Sequence, residues 1–210
     1  MDVLCWAIKE GNTEDVLQIL MKNPDISVNT ADEGGLPPLH VACDKADDSG
    51  SVIPLLLAHP DIDVNVKDRD GSTPFFAACA NGHTSCVRLL LKDSRVMVNE
   101  PDSSGFTPLW RAAYSGHLQV IKWWIASGRD IDLGTPGDVY KTDALGVAKE
   151  EGKTAGVTLL ERFKSDPAKT RSRVRMQFGI IGQYYYSFRF VFGFVFGFFL
   201  NVFFFLFFEF

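Results

Sequence analysis

The sequence predicts an all-α solenoid built from short helical hairpins, and three observations carry that prediction. The first is a self-contained unit at residues 105–117, GFTPLWRAAYSGH. Gly105 turns the chain ahead of Thr107-Pro108, and proline fits the first turn of a helix, where its missing N–H costs nothing. Leu109, Ala112 and Ala113 then follow at helical spacing, Gly116 ends the helix, and a second apolar run starts at Val120. The second observation is repetition: GSTPFFAACANGH (71–83) lies about 34 residues upstream, and GLPPLHVAC (35–43) about 36 residues before that. The third is a recurring connector between hairpins: DISVN at 25–29, DIDVN at 61–65, VMVN at 96–99 and DIDLG at 130–134. A lone hairpin of this kind cannot bury its apolar face, so the copies are expected to stack.

Taken in order, residues 1–29 read as a capping repeat. MDVLCWAIKEG keeps Ala7 and Gly11 at the repeat's offsets but lacks the opening turn, and an outer helix is expected over 13–21 with Thr13 as its N-cap. Residues 30–65 form a second repeat in which Pro37 replaces the threonine before Pro38. It is about two residues longer than its neighbours, with the excess near 47–51 in the inter-helix turn, where insertions are tolerated. Residues 66–99 and 100–134 are the fullest copies; Trp123 and Trp124 stand where Leu89 and Leu90 stand one repeat earlier, so one is expected in the core and the other on the outer groove. Residues 135–165 form a weaker last repeat through Leu145, Ala148 and Gly152, with Asp143-Ala144 in place of Thr-Pro and a charged second helix suited to a cap. A basic linker is expected over 166–177, DPAKTRSRVRMQ, and a Phe-rich tail over 178–210.

With a period near 33 and variants of T-P-L-H-x-A, residues 1–165 resemble the ankyrin-repeat family, with about five repeats including two caps. The resemblance implies a non-catalytic protein–protein interaction module whose hairpin tips and inner helices form a concave face. Mapped onto this chain, the partner-binding positions are Glu33, Leu36, Asp44, Lys45, Arg69, Asp70, Ser72, Asn81, Ser103, Phe106, Trp110, Arg111, Tyr114 and Tyr140. Phe106, Tyr114 and Tyr140 cluster on adjacent repeats with Arg69 and Arg111 nearby, and aromatic and arginine side chains are the types that dominate interface energy. Trp110 replaces the turn histidine and reads as packing. The resemblance also implies hydrogen bonding of His40 within its turn, and it marks Asn65, which closes LLLAHPDIDVN, as a position of the kind that asparaginyl hydroxylases modify.

Other readings are weaker. His83 and His117 follow the inter-helix glycines at equivalent positions and read as structural, and His59 lies in a variable turn. No nucleophile, base and orienting group converge, so no enzyme, cofactor, metal or small-molecule substrate is expected. Asn29, Asn65 and Asn99 suit turn backbone and are expected to bond their own backbone. Residues 1–170 hold 17 basic and 25 acidic residues, a balance that argues against nucleic-acid phosphates as partner. Cys43 and Cys79 occupy the small-residue packing position, and the four cysteines show neither C-x-x-C nor zinc spacing, so reduced thiols and a cytoplasmic setting are expected. No secretory signal opens the chain.

The tail leaves alternatives open. Fourteen of the 18 phenylalanines fall after residue 177, and residues 190–208 carry no charge. As a helix this stretch would span about 28 Å, close to one hydrocarbon core, and the arginines on its N-terminal side would keep the repeats cytosolic. The same stretch alternates with period two and has the low complexity of a translated T-rich noncoding run. A membrane anchor, a mistranslated end to the docking repeats of a larger enzyme or channel, and some other packed role all remain.

Overall fold

Three of the hairpins begin with a helix that is capped by its own sequence. In the computed structural model, which describes residues 3–44, 52–134 and 142–180, Thr73 and Thr107 hold extended backbone while their Oγ1 atoms accept the N–H groups of Phe76 and Trp110, each at 3.2 Å. Pro74 and Pro108 fill the first helical position, and Asp143 does the threonine's work in the last repeat by accepting from Gly146 N–H at 2.7 Å. These caps satisfy backbone donors that a helix start would otherwise leave unpaired. Gly82 and Gly116 close the helices in the left-handed region at φ 77° and 79°, which lets His83 N–H and His117 N–H reach back five residues to Ala78 O and Ala112 O.

The described helices are α1 (Val3–Glu10), α2 (Thr13–Lys22), α3 (Pro38–Asp44), α4 (Val52–Leu57), α5 (Pro74–Asn81), α6 (Thr84–Leu90), α7 (Pro108–Ser115), α8 (Leu118–Ser127), α9 (Ala144–Glu150), α10 (Thr154–Ser165) and α11 (Pro167–Gln177). Among the described residues there is no strand. The odd-numbered helices α1 to α9 pack in one row and the even-numbered helices α2 to α10 in a second, each element touching its counterpart in the next hairpin. The five hairpins are thus stacked in register.

The core runs unbroken through this stack. Ala7, Ala42, Ala78, Ala112 and Ala148 occupy one position in five successive inner helices and are all fully buried, so small side chains set the close approach of neighbouring hairpins. Leu4, Leu39, Phe75 and Leu109 fill the layer beside them, and Val16, Ile53, Val87 and Ile121 bring in the outer helices. Trp124 is the largest fully buried side chain and meets Phe75 of the preceding repeat edge-on at 5.0 Å. The two tryptophans divide as their spacing requires, with Trp123 half-buried at the outer surface.

Three expectations need correction. Asn12, one residue earlier than expected, caps α2 by accepting Asp15 N–H. Residues 167–177 are not a linker but helix α11, which folds back across α8 and α10. Its polar sequence hides the reason: Val174 and Thr170 are buried, Arg171 and Arg175 donate to Ile125 O and Ala126 O at the end of α8, and Phe178 stacks on Trp123 with centroids 4.0 Å apart. The asparagines of the connector bond the next repeat and not their own backbone, as described below. The insertion near 47–51 and the tail after residue 180 lie outside the described residues. Among the described residues no helix is long and apolar enough to cross a membrane.

Candidate interaction face

The hairpin tips are built by one aspartate each. Asp32, Asp68 and Asp102 accept, through Oδ1, the N–H groups of Leu36, Ser72 and Phe106 at 2.9–3.0 Å, and the backbones of each pair close the hairpin with an N–H to carbonyl bond at 3.0 Å. Three residues on, Gly35, Gly71 and Gly105 take φ near +80° and bond back to the aspartate carbonyl. The D-x-x-G spacing at 32–35, 68–71 and 102–105 is the sequence signal of these tips. Lys9 reaches Asp32 from the first repeat, and that hydrogen bond, with Leu36 N–H behind it, holds the Asp32 carboxyl below the usual carboxylate range.

Adjacent tips are knitted together by the residues expected to touch a partner. Arg69 lies over Gly35, where any Cβ would collide with its side chain, and donates to Glu33 O at 3.1 Å. Ser103 sits in the same way over Gly71 and donates its N–H to Asp70 O at 3.0 Å. Glu33, Arg69, Asp70 and Ser103 are nonetheless exposed. On the inner helices Asn81 donates to the Asp44 carboxylate of the preceding repeat at 3.0 Å, and both are exposed. Leu36 is half-buried against the core and Ser72 is buried, so neither presents a side chain outward as freely as expected. Lys45 and Tyr140 lie outside the described residues.

The most distinctive feature is an aromatic ladder along α7. Trp110 and Tyr114 lie four residues apart on one face of α7, and Phe106 precedes the helix, just ahead of its Thr107 cap. Phe106 and Trp110 pack with centroids 4.4 Å apart, and Tyr114 stacks on Trp110 at 5.4 Å with ring planes 11° apart. The Arg111 guanidinium lies 4.5 Å from the Phe106 ring centroid and 3.7 Å from the Asp102 carboxylate. Trp110 is buried, which suits packing and removes it from the partner-binding positions to which it was mapped, while Tyr114 is 41% exposed. The ladder thus has a buried rung carrying an exposed one.

Trp110 also explains why it replaces the turn histidine. His40 Nε2 lies 2.7 Å from Ser72 O, and Trp110 Nε1 donates to Thr142 O at 3.2 Å. Ser72 and Thr142 are equivalent, each the residue before the next repeat's N-cap. One ring N–H thus ties each of these repeats to its successor, and the bond of His40 runs between repeats and not within its own turn as expected. His40 Nδ1 is buried without a partner, in the repeat where Pro37 has removed the threonine hydroxyl. Burial holds this imidazole below the usual histidine range despite the Ser72 carbonyl. It is a neutral donor, not an acid–base group.

The connector asparagines form a second ladder, three residues before the tip aspartates. Asn29 donates to Asp61 O at 2.7 Å and accepts Asp63 N–H at 2.9 Å. Asn65 repeats both bonds with Arg95 O and Met97 N–H at 2.9 and 2.7 Å, and Asn99 accepts Asp132 N–H at 3.1 Å. His117 Nε2 contacts Ala80 O of the preceding repeat at 3.0 Å, which accounts for its position after Gly116. Cys43, Cys79 and Cys86 are fully buried; a hydrogen bond with Cys86 and desolvation push the Cys43 thiol up, and burial does the same for Cys79. Raised thiol pKa values make the Cys43 and Cys79 sulfurs packing atoms. Among the described residues no group of three or more His, Cys, Asp or Glu could hold a metal ion.

Stacked helical hairpins with hydrogen-bonded tips and a row of small buried residues define the class: a helical repeat protein with an open face. Residues 45–135 match the family model for ankyrin repeats (3 copies), so this stretch of the chain is built of ankyrin repeats. The same hairpin geometry extends beyond the matched stretch, to α1–α2 before it and α9–α10 after it. No curated protein matches the sequence.

Proposed function

We propose that this chain is a non-catalytic binding module that captures a protein partner on the face made by its hairpin tips and inner helices, with its energetic centre at Phe106, Arg111 and Tyr114. Ankyrin repeats are in general protein–protein interaction modules, which sets the class of partner but not its identity. The observation that carries the reading is the exposed Tyr114 ring stacked on a buried tryptophan. A rigid aromatic backed by fixed neighbours loses little entropy on binding, and such residues beside an arginine dominate interface energies. Glu33, Asp44, Arg69, Asp70, Asn81 and Ser103 would form a polar rim along the same row. The cytoplasm suits the buried, reduced thiols. Proximity labelling with the full chain would identify the partner. Phe106→Ala with Tyr114→Ala should then lower its affinity at least about tenfold while the helical circular dichroism is unchanged, since losing such side chains typically costs over ~2 kcal/mol. Undiminished affinity in the folded variant would overturn the assignment.

The uncharged run at 190–208 favours a membrane tether for these repeats, with the arginines before it on the cytosolic side. The competing reading makes the repeats the docking part of a larger enzyme or channel whose natural continuation the Phe-rich run has replaced. Transcript sequence across the codons for residues 165–185 separates the two: an unspliced intron supports truncation, and a continuous exon supports the tether.

A further inference from the structure

Helix α11 does not extend the inner and outer rows. It lies against α8 and α10 and leaves a groove of about 790 Å³ between the three helices. Lys122, Arg162, Lys169 and Arg173 line that groove, against two carboxylates, Glu161 and Asp166. Both acids are already engaged: Glu161 pairs with Lys149 at 2.9 Å, and Asp166 Oδ1 accepts Lys169 N–H at the start of α11. Among the described residues none of the four cations forms an ion pair. Elsewhere on the repeats the balance is acidic, so this is a local reversal of sign. Arg171 and Arg175, by contrast, are spent on the α8 carbonyls and fix the helix in place.

The position of the groove says what it faces. Gln177 lines its edge, Phe178 is seated on Trp123, and the chain leaves from there toward the uncharged stretch at 190–208, with Arg189 as the next charge. A cationic pocket about a dozen residues before a long apolar segment comes within reach of the headgroup layer when that segment meets a bilayer. The geometry points to the α8–α10–α11 groove as a site for the headgroups of anionic lipids, which would fix the orientation of the repeat stack on the membrane surface. This rests on the tether reading for the tail and is independent of the partner face on α7.

The test uses the full chain synthesised in the presence of vesicles, either phosphatidylcholine alone or phosphatidylcholine with phosphatidylserine, followed by flotation. Phosphatidylserine should strengthen binding, and salt should reverse that gain. Lys169→Gln with Arg173→Gln should remove roughly 30-fold of the gain, since each cation near an anionic surface contributes roughly a fivefold effect. Lys22→Glu, in the first repeat, should leave it intact. Equal flotation with both vesicles would overturn the headgroup site while leaving the tail as a tether. No flotation with either would overturn both. A gain retained by the folded double variant would place the cations elsewhere, and competition by free inorganic phosphate alone, without a phosphatidylserine effect, would make the groove a soluble-anion site and overturn the lipid assignment.

Discussion

Asn65 joins two repeats with one side chain, and its value follows from what its loss would expose. Asn65→Ala would strip partners from Arg95 O and Met97 N–H, so a cost of about 1–2 kcal/mol in a urea melt is expected. Thr107→Ala should cost about 1 kcal/mol, because Trp110 N–H then lacks its cap. His40 makes a pH prediction. Its folded pKa lies below the unfolded value of about 6.5, so the unfolded chain takes up a proton that the folded chain resists. The stability tied to His40 is therefore present above about pH 6.5 and declines as pH falls from there toward the folded pKa. Melts of wild type and His40→Leu at about pH 7.5 and about pH 5.5 check this: the variant is less stable at the higher pH but shows a smaller drop between the two. An equal drop in both would assign the titration to other groups.

At the scale of elements, the outcome turns on α11. Its sequence reads as polar because only Val174 and Thr170 face inward, while its arginines act as hydrogen-bond donors to a neighbouring helix end. Such a helix has almost no amphipathic pattern to detect. Ending the chain after Ser165 should therefore destabilise the repeats by about 2 kcal/mol or more relative to ending it after Ile180, since Val174 loses its cover and Trp123 its stacking partner. Matching melts for the two lengths would mean that α11 only decorates the surface. The hairpins themselves were legible: T-P, the small-residue pair and the closing glycine correspond to an N-cap, a packing row and a left-handed C-cap, all local devices. The inter-repeat bonds of Asn65, Arg69, Trp110 and His117 were not, because they join residues about 30–37 positions apart. The Trp110 role emerges only when Ser72 and Thr142 are seen to be equivalent. Of the proposed interaction face, the exposed rim and the aromatics Phe106 and Tyr114 were visible as residue types, whereas the burial of Ser72 was not.

Across the whole molecule, no hairpin covers itself. Alanines in five successive inner helices, bonds from tip to tip and rings donating to the next turn make each repeat part of its neighbour's core. The proposed interaction face consequently depends for its shape on every interface in the stack. Trp124 is the most direct probe, because it is fully buried on α8 and packs edge-on against Phe75 of α5. Trp124→Ala should cost about 3–5 kcal/mol. Hydrogen exchange on the full chain, wild type against Trp124→Ala, tests the mutual cover most directly. The expected result is protection lost in α5 and α6 as well as in α8; loss confined to α8 would mean that the hairpins stand independently, and would contradict a continuous surface.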